Sequence, residues 1–173
     1  MQVGDAIRTN RAVRQFAERP IAAEDMARIL NAGRLSGSAK NRQPWTFVAV
    51  SARETLRALA ACGPWCGHAA GAAFAVVLVV DDLKTPPTLT TPFDLGRASQ
   101  NMILAAWELG IGSCMGTLYE PDVARRALGI PAGMDVPWLI SFGYPHPDDD
   151  PRARPPRAGG RRSLDEVVRW ERW

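Results

Sequence analysis

Blocks of apolar and polar positions along the chain predict both helices and strands. Apolar residues at helical spacing predict four main helices, over residues 3–9, 23–34, 94–109 and 121–128. Runs of apolar and β-branched residues predict strands at 46–50, 74–80 and 136–142, and residues 111–117 are predicted to return to the sheet. Because every position from Phe74 to Val80 is apolar, this run is expected to be a central strand buried on both faces.

Two serine–glutamate pairs have the spacing of a capping box. Ser51 with Glu54 predicts the start of a helix that runs to about Ala61, and Ser163 with Glu166 predicts a helix start near the C-terminus. The order of helices and strands is irregular, so we predict an α+β fold with one sheet covered by helices. No G-x-G-x-x-G sequence follows a predicted strand, which disfavours a Rossmann dinucleotide site.

Length and composition indicate one globular domain. The chain has 173 residues, of which 46% are hydrophobic, enough for a substantial core. No apolar run approaches the length of a membrane-spanning helix, and the first residues, M-Q-V-G-D-A-I-R, lack the apolar centre of a signal peptide. We therefore predict a cytoplasmic protein with no membrane partner.

The basic residues are concentrated near the C-terminus. The net charge is only +3, and five arginines cluster between Arg152 and Arg162. A basic tail suits either a nucleic acid or a small phosphate, but no basic helix interleaved with exposed aromatic residues is present. We therefore predict a small anionic ligand and no nucleic-acid partner.

The remaining ionisable residues offer little chemistry of their own. Cys62 and Cys66 are separated by three residues, unlike a thioredoxin-type pair, and the chain has only two histidines. We interpret the two cysteines as ordinary thiols and predict no metal site, leaving any further role for them open. No catalytic side chain is identified, so a cofactor would carry the reaction of an enzyme.

Two loops have the composition of ligand-binding segments. The stretch S-G-S-A-K-N-R-Q-P-W at 36–45 combines small residues with the side-chain amides of Asn41 and Gln43, and it fits a cofactor cradle or a plain surface loop equally. The stretch G-I-G-S-C-M-G-T at 110–117 offers backbone amides, or is simply a tight helix-to-strand turn. Residues 147–160 form a Pro-, Asp- and Arg-rich arm, and the apolar segment that follows it must dock on its own domain or on a second copy.

Five blocks, in order, resemble the nitroreductase family of FMN-dependent NAD(P)H oxidoreductases. They are N-R-A-V-R-Q-F-A-E-R-P-I at 10–21, S-G-S-A-K-N-R-Q-P-W-T-F at 36–47, A-A-W-E-L-G-I-G-S-C at 105–114, F-G-Y-P at 142–145 and R-R-S-L-D-E-V-V at 161–168. The resemblance implies a mixed sheet flanked by helices and an intimate homodimer. It further implies an FMN-binding domain over residues 1–146, with residues 147–173 as an arm of the same domain exchanged across the dimer.

The resemblance also implies the cofactor and the residues that hold it. FMN would be bound by Arg11, the backbone at Ala12, and Arg14, with Arg161 and less surely Arg162 near the phosphate. The partner subunit would supply Gly37, Ser38, Asn41 and Gln43, and a backbone amide of Met115, Gly116 or Thr117 would lie by the ring. NADH or NADPH would deliver a hydride, and a nitro compound, quinone or similar small molecule would then be reduced at the same site.

Three departures from the family pattern concern the same site. Asn10 and Ala12 stand where a basic residue and a serine are common, Gly37 stands where proline is common, and the stretch between Val80 and Asp94 is short enough to lack lid helices. The alternatives are a specialised flavin enzyme of the flavin-cleaving or dehalogenating type, or a non-catalytic flavin-binding protein. The electron acceptor and the choice between NADH and NADPH remain open.

Overall fold

The computed structural model describes residues 1–81, 83, 88–151, 153 and 160–173. The helices are α1 (Val3–Thr9), α2 (Ala23–Arg34), α3 (Arg53–Ala60), α4 (Thr91–Glu108), α5 (Pro121–Leu128) and α6 (Leu164–Val167). The strands are β1 (Thr46–Val50), β2 (Phe74–Val80), β3 (Gly112–Thr117) and β4 (Asp135–Gly143). Within these ranges, no helix is long and apolar enough to cross a membrane.

The four strands form one sheet in the order β1-β2-β4-β3, with β2 and β4 at its centre. All of the strand pairs are antiparallel, with Val77 opposite Leu139 and Cys114 opposite Ser141. The parallel pairing that the resemblance implies is confined, among the described residues, to an isolated bridge between Ala12 and Ser113. The predicted α+β class is confirmed.

Strand β2 is the centre of the core, as its apolar sequence predicts. Each of its seven residues is buried, and alternate side chains point to opposite faces of the sheet. Ala75, Val77 and Val79 pack in one cluster with side chains of α3 and α5, whereas the other residues of β2 pack with side chains of α2 and α4. Helices on both faces therefore explain why every position of β2 is apolar.

The helix boundaries differ from the predictions at two places. The predicted capping box at Ser51 and Glu54 is wrong, because α3 begins at Arg53 and its N-cap is Ala52, without a side-chain cap. Helix α4 begins at Thr91 rather than Asp94, since Pro92 is compatible with the first turn of a helix. The capping box of Ser163 and Glu166 is confirmed, with a Ser163 N to Glu166 Oε2 distance of 2.7 Å.

Parts of two predicted connections lie outside the described residues. These are Asp82 and residues 84–87 of the connection before α4, and Arg152 and residues 154–159 of the predicted arm. The described C-terminal residues 160–173 contain α6 and are exposed, with only Val168 half-buried. Trp170 is 78% exposed and Trp173 is fully exposed. The apolar residues of this segment are thus not buried within their own chain.

Candidate functional site

The segment from Arg11 to Arg14 lies alongside the outer edge of β3. Val13 N donates to Ser113 O at 2.9 Å, which forms the isolated bridge between Ala12 and Ser113. Further along, Ala17 N donates to Tyr144 O and His146 N donates to Gln15 O. These bonds fix the backbone on both sides of Arg14, so two sequence-predicted parts of the site, the arginines and residues 112–117, are neighbours in space.

Close packing keeps this segment against the strand. A Cβ atom on Gly112 would lie 2.6 Å from Val13 Cβ, so only glycine permits the approach. From the other side, Trp107 near the end of α4 packs in the same cluster as Val13, and its indole N–H donates to Thr9 Oγ1 at 2.9 Å. Arg11 and Arg14 themselves are exposed, so a buried valine anchors two guanidinium groups at the surface.

Strand β3 presents backbone groups toward this segment. Because Ser113 O is bonded to Val13 and not to β4, alternation along the strand turns the N–H and C=O groups of Ser113, Met115 and Thr117 outward. Cys66 Sγ donates to Thr117 O at 3.2 Å. Among the described residues, Met115 N and Thr117 N make no backbone hydrogen bond to a group outside the sheet. These N–H groups are therefore available donors beside Arg14.

His68, a residue to which the sequence assigned no role, is buried next to this edge. Its Nδ1 lies 2.6 Å from Ser141 Oγ, and Ser141 Oγ lies 3.3 Å from Cys114 O. Which of Nδ1 and the serine hydroxyl donates in the 2.6 Å contact depends on the tautomer of the imidazole. Nε2 is buried and without a hydrogen-bond partner within the described part of the chain.

Burial controls the ionisation of the groups around Arg14. It lowers the pKa of His68, and the charge of Arg14 lowers that pKa further, while the backbone of Met115 and Trp65 opposes the shift because it would accept from a protonated ring. Burial also raises the pKa of Cys114, although the charge of Arg14 and a hydrogen bond from it act in the opposite direction. Near neutral pH, Arg14 is therefore the cation of this cluster, beside a neutral imidazole and a protonated thiol.

The other two cysteines are buried and not bonded to each other. Burial, together with nearby Cys62 and Cys114, raises the pKa of the Cys66 thiol to about 11. Burial and the negative charge of Glu120 raise the pKa of Cys62. Since the thiolate is the reactive form, these values agree with the interpretation of both residues as ordinary thiols.

Gly116 is required by internal packing. A Cβ atom at this position would lie 2.9 Å from Cys66 Sγ and 3.3 Å from His68 Nε2. Gly116 is buried, whereas Met115 and Thr117 on either side are exposed. Of the three residues predicted near the ring, only Met115 and Thr117 therefore face outward, and Gly116 allows the cysteine and histidine to pack against the strand.

The predicted loop at 36–45 adopts an unusual backbone conformation. Lys40, Asn41 and Gln43 have φ values of 53°, 54° and 50°, in the left-handed region that residues other than glycine rarely enter. Ser38 Oγ accepts from Gln43 N at 2.8 Å and closes the loop. The side chains of Asn41 and Gln43 are exposed. A strained loop that presents two amides to its surroundings is typical of a ligand-binding element.

The loop and the arginine segment lie at opposite ends of α4. Ala39 N donates to Asp94 Oδ2 at 3.0 Å near the start of the helix, whereas Trp107 contacts Thr9 near its end. Trp107 is thirteen positions after Asp94, which corresponds to about 20 Å along a helix. Within one chain, the structure therefore does not bring the loop residues together with Arg11 and Arg14.

Arg161 is a described residue of the C-terminal segment. It is exposed, as is Arg162, and both precede α6 in the exposed C-terminal segment. The structure thus assembles one half of the predicted site, formed by the Arg11–Arg14 segment and β3, and places the loop at 36–45 at the other end of α4.

The assembled half fits the chemistry of FMN. Arg11 uses only Nη1 in its hydrogen bonds to the backbone among the described residues, at 3.0 Å to Arg8 O and 2.8 Å to Asn10 O, so its other nitrogens can bind a phosphate. Arg14 can meet the electron-rich edge of the flavin ring. The outward N–H groups of Met115 and Thr117 are donors for a ring nitrogen or oxygen, and Met115, at 43% exposed, offers an apolar contact.

The comparisons with known proteins show the family of this chain. A sequence model of the nitroreductase family matches residues 7–75 and 65–144. A protein of Archaeoglobus fulgidus provisionally named NADH dehydrogenase/NAD(P)H nitroreductase is 34% identical over 153 residues, which are 83% of this chain and 86% of the relative. A protein of Methanothermobacter thermautotrophicus with the same provisional name is 31% identical over 150 residues, which are 84% of this chain and 78% of the relative.

The fold is likewise similar to that of solved structures. The structure of a provisionally assigned nitroreductase from Desulfovibrio desulfuricans, in complex with FMN, superposes with a TM-score of 0.84 at 24% sequence identity. The match covers 100% of this chain and 98% of that chain. With the family model covering most of the sequence, and with an archaeal relative above 30% identity along most of both chains, this chain belongs to the nitroreductase family.

Proposed function

We propose that this protein is an FMN-dependent oxidoreductase that takes a hydride from NADH or NADPH and reduces a nitro compound, a quinone or a similar small molecule. The observation that carries the proposal is the fixed position of Arg14 beside the outward N–H groups of β3. Family membership supports FMN as the cofactor, as does the FMN held by the similar D. desulfuricans protein. The names of the archaeal relatives support NAD(P)H as the donor.

The chemistry that bound FMN would supply is acceptance of a hydride and delivery of two electrons. The chain's own residues would bind FMN and tune its electron affinity. Arg14 would supply a positive charge to the pyrimidine edge of FMN and so favour the electron-rich, reduced form. Arg11 would hold the phosphate, with Arg161 as a second cation from the C-terminal segment, and the N–H of Met115 or Thr117 would orient the ring. The hydride transfer itself needs no acid or base from the thiols and the imidazole nearby.

The protein acts as a homodimer in this proposal. The loop with Gly37, Ser38, Asn41 and Gln43 is about 20 Å along α4 from the arginine segment of its own chain. A second copy is therefore the natural recipient of these side chains. The C-terminal segment supports the same assembly, because Leu164, Val167, Trp170 and Trp173 are more than half exposed and need an apolar surface. We propose that residues 147–173 dock on the partner.

The first experiment tests cofactor and turnover together. The purified protein is expected to be yellow and to release FMN on denaturation. Anaerobic titration with NADH and NADPH is expected to bleach the flavin with at least one of them, and a panel of nitro compounds and quinones then identifies the acceptor class. Protein that is colourless and does not reconstitute with FMN would refute the proposal, whereas flavin that neither nucleotide reduces would leave only a binding protein.

Substitution of Arg14 tests the role of the cation. Arg14→Ala is expected to weaken FMN binding and slow flavin reduction, because the negative charge on the reduced ring loses its nearest cation. Arg57→Ala, which removes an exposed arginine of α3, is the control for a general loss of charge. Unchanged FMN retention and reduction rates in Arg14→Ala would contradict the assignment.

Removal of the C-terminal segment tests the dimer. A chain that ends at Gly160 loses α6, the exposed tryptophans and Arg161, and it is expected to lose both dimer stability and FMN affinity. Light scattering reports the mass, and the absorbance of bound flavin reports occupancy. A truncated chain that remains a flavin-loaded dimer would show that this segment serves neither purpose.

A further inference from the structure

Asp94 joins the first turn of α4 to the loop that carries Ser38, Asn41 and Gln43. We propose that Asp94 is a positioning residue for the FMN site of the partner subunit, since it holds this loop in the conformation that presents its amides across the dimer. The inference rests on the proposed function and adds a residue to it. Asp94 itself would not touch the cofactor.

The carboxylate is almost completely buried, and its two oxygens contact the loop and an arginine that lies over the loop. The residue is 2% exposed. Oδ2 accepts from Ala39 N at 3.0 Å, and Oδ1 lies 3.8 Å from Arg97 Nη1. Arg97 in turn covers Gly37, since a Cβ atom on Gly37 would lie 2.6 Å from Arg97 Nη2. Asp94 thus holds the loop directly through Ala39 and indirectly through the arginine over Gly37.

The bond to Ala39 lies where the loop needs support. Ala39 immediately precedes Lys40 and Asn41, which have positive φ values. Each residue held in such a sparsely populated region has a conformational cost, so surrounding contacts must select this form of the loop. A charge-assisted hydrogen bond from a buried carboxylate is among the stronger contacts available for that purpose. Without it, the loop is expected to sample ordinary turns in which the two amides point elsewhere.

Helix α4 also explains why the loss of Asp94 should weaken an FMN site that contains Arg14 of the partner subunit. The same α4 that carries Asp94 at its start carries Trp107 near its end, beside the arginine segment of its own chain. Loss of Asp94 therefore perturbs the loop of one subunit and leaves Arg11 and Arg14 of that subunit in place. The damaged FMN site is the one that uses Arg14 of the partner subunit.

The affinity experiment compares Asp94→Ala with a matched control. Asp135 has the same kind of contacts, since its Oδ2 accepts from Leu83 N at 2.8 Å and its Oδ1 lies 3.8 Å from Arg125 Nη2. We expect Asp94→Ala to weaken FMN binding about tenfold, from the loss of a hydrogen bond to a charged group, and Asp135→Ala to leave it unchanged. FMN fluorescence after dilution of holoprotein measures dissociation. Asp94→Asn keeps an acceptor for Ala39 N and should recover most of the affinity.

A mixed dimer separates positioning from general instability. Asp94→Ala and Arg14→Ala subunits are co-expressed with different tags, and dimers carrying both tags are isolated. In such a dimer, one site combines the intact Arg14 of the first subunit with the intact loop of the second, whereas the other site has both defects. We therefore expect one FMN per dimer with wild-type affinity, although each homodimer binds FMN weakly.

The outcomes are distinct. The role of Asp94 alone is overturned if wild-type protein binds FMN and Asp94→Ala binds it equally well. It is also overturned if wild-type protein binds FMN and the mixed dimer regains no tight site. Wild-type protein that binds no FMN overturns the proposed function together with this inference. If Asp94→Ala does not fold, Asp94→Ser takes its place, because it also removes the carboxylate that accepts from Ala39 N. Its homodimer must then bind FMN weakly, and its mixed dimer with Arg14→Ala must regain one tight site.

Discussion

The contact between Gly112 and Val13 gives a direct test of how the arginine segment is held against β3. In Gly112→Ala, the new methyl group would lie 2.6 Å from Val13 Cβ and 3.0 Å from Val13 Cγ1. Carbon atoms in ordinary contact are about 3.5–4.0 Å apart. The two groups must therefore separate by roughly 1 Å.

Neither partner can move away easily. Val13 is 1% exposed and its branched side chain is restricted at χ1. Its backbone is also fixed by the 2.9 Å bond from Val13 N to Ser113 O, next to Gly112 itself. Extra methyl groups in such places destabilise proteins by about 1–3 kcal/mol, and we expect Gly112→Ala to fall in the upper half of that range.

Denaturant unfolding is the assay, with the midpoint expected to fall and the slope to stay constant. Gly67→Ala is the control, because a Cβ atom there would meet nothing within 4 Å, and its effect should stay within about 0.5 kcal/mol. Val13→Ala alone should cost about 2 kcal/mol through the cavity it leaves. Gly112→Ala in that background should cost less than in wild type by about 1 kcal/mol, since Cγ1 and Cγ2 of residue 13 are gone and only its Cβ remains in close contact.

FMN retention should fall in Gly112→Ala and not in Gly67→Ala, because the displaced segment carries Arg14. If Gly112→Ala unfolds like Gly67→Ala, or if its effect adds to that of Val13→Ala without coupling, the segment is not held in the way described. If Gly112→Ala is destabilised but keeps full FMN affinity, the packing of Val13 on Gly112 contributes to stability and not to cofactor binding.

Three further predictions follow from other contacts. Burial and the charge of Arg14 lower the pKa of His68, so its contribution to the free energy of unfolding is expected to be fully present above the unfolded pKa of about 6.5. This contribution should be lost as pH falls through the folded pKa, by no more than about 1.4 kcal/mol per pH unit. His68→Gln should flatten the pH profile of stability, and His146→Gln should not. With its pKa near 11, Cys66 should resist alkylation at neutral pH until the chain unfolds, and rapid labelling of the native protein, located by mass spectrometry, would argue against this environment. Gly96 is exposed within α4, and a Cβ atom at this position would meet only open space, so Gly96→Ala should raise the free energy of unfolding by about 0.5–1 kcal/mol; a loss of stability would contradict it.

Much of the fold was accessible from periodicity because that signal is local. The apolar run at Phe74–Val80 had to be covered on both faces of the sheet. One face is covered by α2 and α4, and the other by α3 and α5. Helix ends were less accessible. Ser51 and Glu54 have the spacing of a capping box, yet the N-cap is one residue later, because which residue caps depends on backbone torsions that a spacing rule does not contain.

The sequence predicted the separate segments of the candidate site, but not how they are arranged in space. Arg11, Arg14, Met115 and Thr117 are neighbours because Val13 bonds to Ser113, a contact between residues that are 100 positions apart. The sequence analysis assigned no role to His68 or Asp94. A histidine among alanines and glycines, and an aspartate in the first turn of a helix, are ordinary features until their partners, Ser141 and Ala39, are known.

The sequence by itself determined the fold class, the central strand, the ordered blocks of the nitroreductase family and the residue types suited to a flavin phosphate. These depend on local periodicity and on short motifs, which are properties of neighbouring residues. Only the tertiary structure decided that the arginines adjoin β3, that Gly116 serves packing, and that the amide-bearing loop lies at the far end of α4. The reason is physical: burial of Val13, His68 and Asp94 arises from contacts between distant parts of the chain, and burial is what turns ordinary residue types into anchors for a site.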